Sequence, residues 1–277
     1  MARQILFSPS ELHSTQANDG CVTIDCRFDL KDTRAGFNAY LDAHIPGAVY
    51  VHLDDDLCGP PITDYGRHPL PSPTAMSALF GKLGIKKESQ VIVYDDSNGA
   101  FASRLWWMLR FMGHFAVAVL DGGYNAWHRA RLPEREGVES NLPVRYASMP
   151  RAAWLVRLDE VSDLPFLVDS RSPERHRGEI EPIDPRAGHI PGSINYFYQQ
   201  NWGDDGLYLS REMLRERFEH LLGDRPIEDV TFYCGSGVTA CVNLLALDHA
   251  GLGNARLYVG SWGEWCKDPN RPVATDG

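Results

Sequence analysis

The chain has 277 residues, 43% hydrophobic and 23% charged, with 25 glycines, 18 prolines and a formal net charge of −10. That composition excludes a disordered, collagen-like or disulfide-packed chain. The acidic balance, unrelieved by any basic run, argues against nucleic acid or an anionic membrane surface as a partner.

Met1–Phe7 is too short and too polar for the apolar region of a signal peptide. Cys21–Asp25 is a short β-rich run, and a helical stretch follows around Ala35–Ala43. Ser72-Pro73 has the form of an N-cap with proline at the first helical position, opening a helix over Met76–Leu83 that Gly84 closes. Val91–Tyr94 is a wholly apolar strand, Ala102–Met112 a helix and Ala116–Leu120 a strand. The apolar stretch near Phe115–Leu120 is far short of the roughly eighteen residues that span a bilayer. A soluble, cytoplasmic protein is therefore expected. From Glu136 to Ala153 periodicity is weak and Pro143 and Pro150 interrupt, which marks a linker, taken as 141–153 between domains at 1–140 and 154–277. Beyond it come strands at Phe166–Asp169, Val230–Tyr233 and Ala255–Val259 and helices at Arg211–Leu222 and Ala240–Ala250. Short apolar strands alternating with helices predict an α/β fold, a mainly parallel sheet flanked by helices.

The chain repeats itself. Asp25-Cys26-Arg27 recurs as Asp169-Ser170-Arg171, and His44-Ile45-Pro46-Gly47 as His189-Ile190-Pro191-Gly192. Val91–Tyr94 recurs as Val230–Tyr233, and Gly122 and Trp127 as Gly260 and Trp265. Each copy is about one domain long, so this is a duplication rather than a solenoid. Arg171, paired with Asp169 as Arg27 is with Asp25, reads as structural. His44 and His189 read as shared turn-stabilising residues.

Ligands of such sheets sit at the carboxyl ends of the strands. Tyr233 ends a strand, and Cys234-Gly235-Ser236-Gly237-Val238-Thr239 leads into a helix. A small glycine-rich loop there lets backbone N–H groups converge on one point at the positive end of the helix dipole. A thiol at that point should ionise readily, and the thiolate is the nucleophile. Cys234 is therefore the catalytic candidate. The corresponding loop of the first copy, Asp95-Asp96-Ser97-Asn98-Gly99, has no cysteine, so one copy reads as active and the other as scaffold. Position 240 is alanine where a phosphatase Cys-x5-Arg loop needs arginine, which disfavours phosphate ester hydrolysis. The cysteines at 21, 26, 58, 234, 241 and 266 fit free thiols. None has Cys-x-x-Cys spacing, so no metal site is expected.

The paired Asp-x-Arg and His-Ile-Pro-Gly motifs, the Cys234 loop and Gly260-Ser261-Trp262-Gly263-Glu264-Trp265 together resemble the rhodanese superfamily in its tandem two-domain form. The loop Cys-Gly-Ser-Gly-Val-Thr resembles the 3-mercaptopyruvate sulfurtransferase branch. The resemblance implies two rhodanese-like domains and a sulfane sulfur passing from 3-mercaptopyruvate through a Cys234 persulfide to a thiol such as thioredoxin, or to cyanide, with no metal or organic cofactor. It implies substrate contacts from Gly235, Gly237, Val238 and Thr239. Arg175 and Arg186 would clamp the carboxylate, arginine's fork being suited to it. His68, with Asp54 upstream and Ser236 in the loop, would relay a proton. A loop without charge suits a monocarboxylate better than dianionic thiosulfate. Thiosulfate as donor is the nearest alternative, and a persulfide carrier with low turnover is the next.

Overall fold

The computed structural model describes residues 4–16, 20–63 and 65–276. They divide into two compact units. The first is drawn from Met1–Gly59, Pro71–Arg151 and Asp204–Tyr208, the second from Pro60–Leu70, Ala152–Gly203 and Leu209–Gly277.

In the first unit, β1 (Leu6–Phe7), α1 (Pro9–Thr15), β2 (Cys21–Asp25), α2 (Ala35–Asp42), β3 (Val49–Tyr50) and α3 (Leu53–Asp56) precede α4 (Pro73–Lys82). Then come β4 (Gln90–Tyr94), α5 (Ala102–Phe111), β5 (Val117–Leu120) and α6 (Gly123–Arg129). The sheet runs β1-β5-β4-β2-β3 with every pairing parallel. The second unit has β6 (Leu155–Val156), β7 (Phe166–Asp169), α7 (Pro173–Arg177), β8 (Ile194–Asn195), α8 (Arg211–Leu222), β9 (Val230–Tyr233), α9 (Ala240–His249), β10 (Arg256–Tyr258) and α10 (Ser261–Trp265). Its sheet, β6-β10-β9-β7-β8, is again parallel throughout. The internal repeat in the sequence is thus one topology used twice. Val91, Ile92 and Val93 on β4 and all four residues of β9 are buried, as central strands covered on both faces must be.

The repeated motifs hold the sheet to its turns. Arg171 donates to the Asp169 carboxylate (Nη2–Oδ2 2.7 Å) and to the Gly188 carbonyl at 2.7 Å, just ahead of the His189 turn. Arg27 does the same with Asp25 and the Ala43 carbonyl, both at 2.7 Å, ahead of His44. All four side chains are buried, where a charge is tolerable only if paired and hydrogen-bonded. The histidines match as well. His44 Nδ1 lies 2.8 Å from the Tyr40 carbonyl and His189 Nδ1 2.7 Å from the His176 carbonyl. Each backbone also bridges antiparallel to a later segment, His44 to Arg135 and His189 to Ala274.

Candidate active site

Cys234 directly follows β9, and α9 begins at Ala240. The loop between them is pinned from below by α10. The Cys234 N–H donates to Ser261 Oγ at 3.1 Å, the Cys234 carbonyl accepts from Trp262 N–H at 3.0 Å, and the Gly235 carbonyl from Gly263 N–H at 2.9 Å. Gly237 has φ +72°, and a Cβ there would lie 2.5 Å from the Val259 carbonyl oxygen. Glycine is therefore required for the turn that folds the following N–H groups inward. Burial of the Cys234 side chain pushes its thiol up. Hydrogen bonds from the Thr239 hydroxyl and from the N–H groups of Ser236, Ala240 and Val238 outweigh that and hold it below the usual thiol range.

The first unit shows what such a ring of donors selects. Asp95 directly follows β4, as Cys234 follows β9. Its buried carboxylate accepts from the N–H groups of Ser97, Gly99, Phe101 and Ala102, each at 2.8 Å. Both copies thus make a cradle of backbone donors, although burial still pushes the Asp95 carboxyl up despite them. One is filled by a fixed carboxylate and the other by a sulfur that can react.

Three further groups face the Cys234 loop within the second unit. His68, from the segment Pro60–Leu70, places Nδ1 2.7 Å from Ser236 Oγ, and both side chains are buried. Arg175 on α7 donates to Glu181 (Nη2–Oε1 2.7 Å) and Asp184 (Nη2–Oδ2 3.0 Å), and its terminal nitrogens approach the Cα of Gly235. Nearer still is Arg67, which is ion-paired to Asp184. Sequence reasoning missed Arg67. The only available signal was its position beside His68.

A sequence model of the Rhodanese-like domain matches residues 8–130 and 152–268. The chain belongs to the rhodanese family. A Pseudomonas aeruginosa protein provisionally named as a 3-mercaptopyruvate sulfurtransferase is 43% identical, over 99% of each chain. A Mycobacterium tuberculosis protein provisionally named as a thiosulfate sulfurtransferase, SseB, is 40% identical over 98% of this chain and 96% of its own. Among solved structures, the 3-mercaptopyruvate sulfurtransferase of Leishmania major superposes with a TM-score of 0.85 at 30% identity, covering 95% of this chain and 74% of that one.

One residue singled out in the rhodanese sequence pattern is engaged away from the loop. Arg186 donates through Nη1 to the carbonyls of Asp268 and Arg271, both at 3.1 Å, and its own carbonyl accepts from Trp262 Nε1 at 2.9 Å. Its guanidinium braces the segment after α10, while Arg67 stands beside Arg175. Asp54 lies exposed on α3 of the first unit, its carboxyl pushed up by partial burial. A Cβ on Gly235 would stand 2.7 Å from Arg67 Nη2. The thiols of Cys21, Cys26, Cys58 and Cys266 are all pushed up by burial, Cys58 and Cys266 to about 11, so the lowered Cys234 stands apart from them. Cys241 is buried in α9 with Sγ 3.5 Å from the Gly237 carbonyl.

Among the described residues, His176, His189 and Asp276 could offer three ligand atoms to a cation. The two imidazoles stack with centroids 3.8 Å apart. Tyr40 and His44 stack in the corresponding place of the first unit at 4.1 Å, with a phenol where the second imidazole would be. The stacking thus belongs to the repeat itself and needs no metal.

Proposed function

We propose that this chain is a sulfurtransferase that takes sulfur from 3-mercaptopyruvate and passes it to a thiol or to cyanide. The observation that carries the reading is the Cys234 thiol, buried yet held below its usual range by converging hydrogen-bond donors. The Cys234 thiolate attacks the donor sulfur. An S–S bond forms and the C–S bond breaks, its electron pair staying on carbon as the enolate of pyruvate. The enolate takes up the proton that the outer sulfur carried. Pyruvate leaves, and a Cys234 persulfide anion remains among the donors, which stabilise it as an oxyanion hole stabilises oxygen. Cyanide then attacks the outer sulfur and departs as thiocyanate, regenerating the thiolate. A protein thiol such as thioredoxin would serve the same step. Ser236 and His68, 2.7 Å apart, would carry the proton. Asp54 enters this relay from the family resemblance alone. Arg175 would hold the donor carboxylate. Thr239 and the N–H of Val238 act on sulfur, and Gly237 shapes the turn.

Thiosulfate is the second reading, and one observation favours it. The loop carries no charge of its own, yet Arg67 and Arg175 stand against Gly235. The neutral-loop preference for a monocarboxylate is weaker than the sequence implied. Thiosulfate would react by the same attack and release sulfite. The test is kcat/KM for each donor with cyanide as common acceptor. A large preference for mercaptopyruvate is the expected result. A preference for thiosulfate selects the second reading, and turnover of neither donor overturns both. A cytosolic location fits six cysteines that form no disulfide among the described residues, and no helix among the described residues is long and apolar enough to cross a membrane.

A further inference from the structure

We infer that Arg67 is the second half of an anion clamp at this site and that, with Arg175, it reads the negative group of the sulfur donor. This rests on the sulfurtransferase reading above and adds a specificity-determining residue to it.

The geometry is that of two guanidinium groups aimed by carboxylates. Arg67 uses Nη1 to pair with Asp184, and Arg175 uses Nε and Nη2 to pair with Glu181 and Asp184. The nitrogens these pairs leave over turn toward the loop. A Cβ on Gly235 would stand 2.7 Å from Arg67 Nη2 and 3.6 Å from Arg175 Nη1. A Cβ on Gly263 would meet Arg67 Nη1 and Asp184 Oδ1, each at 3.1 Å. Two positions without side chains therefore make room for one guanidinium beside the residue that follows the nucleophile. Asp184 is almost wholly buried and touches both arginines, so it fixes their spacing. The Arg67 side chain is 31% exposed and that of Arg175 14%, which leaves both open to an incoming anion. Two forks on one small anion give it direction as well as charge. The anion is the carboxylate of mercaptopyruvate or the sulfonate end of thiosulfate, each an anionic oxygen group that an arginine fork can grip.

The test compares Arg67→Gln and Arg67→Lys with the parent chain. The first readout is alkylation of Cys234 by iodoacetate and by iodoacetamide, which differ chiefly in charge. In Arg67→Gln the iodoacetate rate should fall about tenfold while the iodoacetamide rate holds, with Arg67→Lys between, since lysine keeps the charge without the fork. The second readout is steady state, where KM for the donor should rise about tenfold with kcat nearly kept. A KM rise confined to mercaptopyruvate identifies the carboxylate as the group read; one confined to thiosulfate identifies the sulfonate. An unchanged ratio of the two alkylation rates overturns the inference and leaves Arg67 as a brace for Asp184. Absence of turnover by the parent chain overturns the sulfurtransferase reading alone, because the alkylation ratio still decides what Arg67 does.

Discussion

At the scale of single residues, the proposed chemistry rests on Cys234 and its donors. Cys234→Ser should abolish sulfur transfer and leave the circular dichroism and melting profile unchanged, because a hydroxyl fits the same buried space. Thr239→Val removes the hydroxyl donor and keeps the three N–H groups. The thiolate fraction grows as pH rises through the thiol's pKa. The midpoint of Cys234 alkylation should therefore lie below that of a free thiol in the parent and move to higher pH in Thr239→Val. An unmoved midpoint would show that the backbone alone lowers the pKa. Cys234 was legible from a local pattern, the strand–Cys–Gly-x-Gly–helix junction, and Arg175 only through the family resemblance. Arg67 was not. It lies 168 positions before Gly235, and nothing in Gly66-Arg67-His68 says which loop it will meet.

At the scale of elements, the long buried strands and helices were readable and the short ones were not. β2, β7, β9 and α8 run over the very residues expected. β1, β3, β6 and β8 have two residues each, too few to show any period, and five-residue α7 is equally silent. Yet α7 delivers Arg175. The loop after β9 depends on Gly237, whose φ of +72° and approach to the Val259 carbonyl leave no room for a side chain. Gly237→Ala should lower stability by about 1–3 kcal/mol in denaturant melts and slow Cys234 alkylation, since the displaced turn carries the Val238 N–H. Loss of stability with alkylation unchanged would mean the donors do not depend on this turn. The β7 end is held by Asp169, which burial pushes up but Arg171 and His176 bring down to about 2. Its folded value lies below the unfolded one. Its contribution, on the order of 2 kcal/mol, is thus complete above the ordinary carboxylate range and disappears as pH falls toward 2. Arg171→Ala leaves that charge buried with a partner gone and should cost about 3–5 kcal/mol. Asp25 is instead pushed up by burial despite Arg27, and Tyr40 stands where the second unit has His176.

At the scale of the whole chain, two copies of one sheet topology carry two fillings of one cradle; the sequence showed the duplication through its repeats, but not that Asp95 is held by the first loop as Cys234 is by the second. It did not show that the segment Pro60–Leu70, written inside the first copy, folds with the second. That segment brings Arg67 and His68 to the Cys234 loop. A fragment of residues 152–277 should therefore keep a cysteine with a lowered pKa and yet turn over donor far more slowly than the full chain, in the same cyanide assay. Full activity in that fragment would show that neither side chain matters. The boundary of the duplication is thus not the boundary of the working unit. On the proposed reading, a loop written in the first copy serves the nucleophile of the second, so that neither half could be exchanged alone without loss of function.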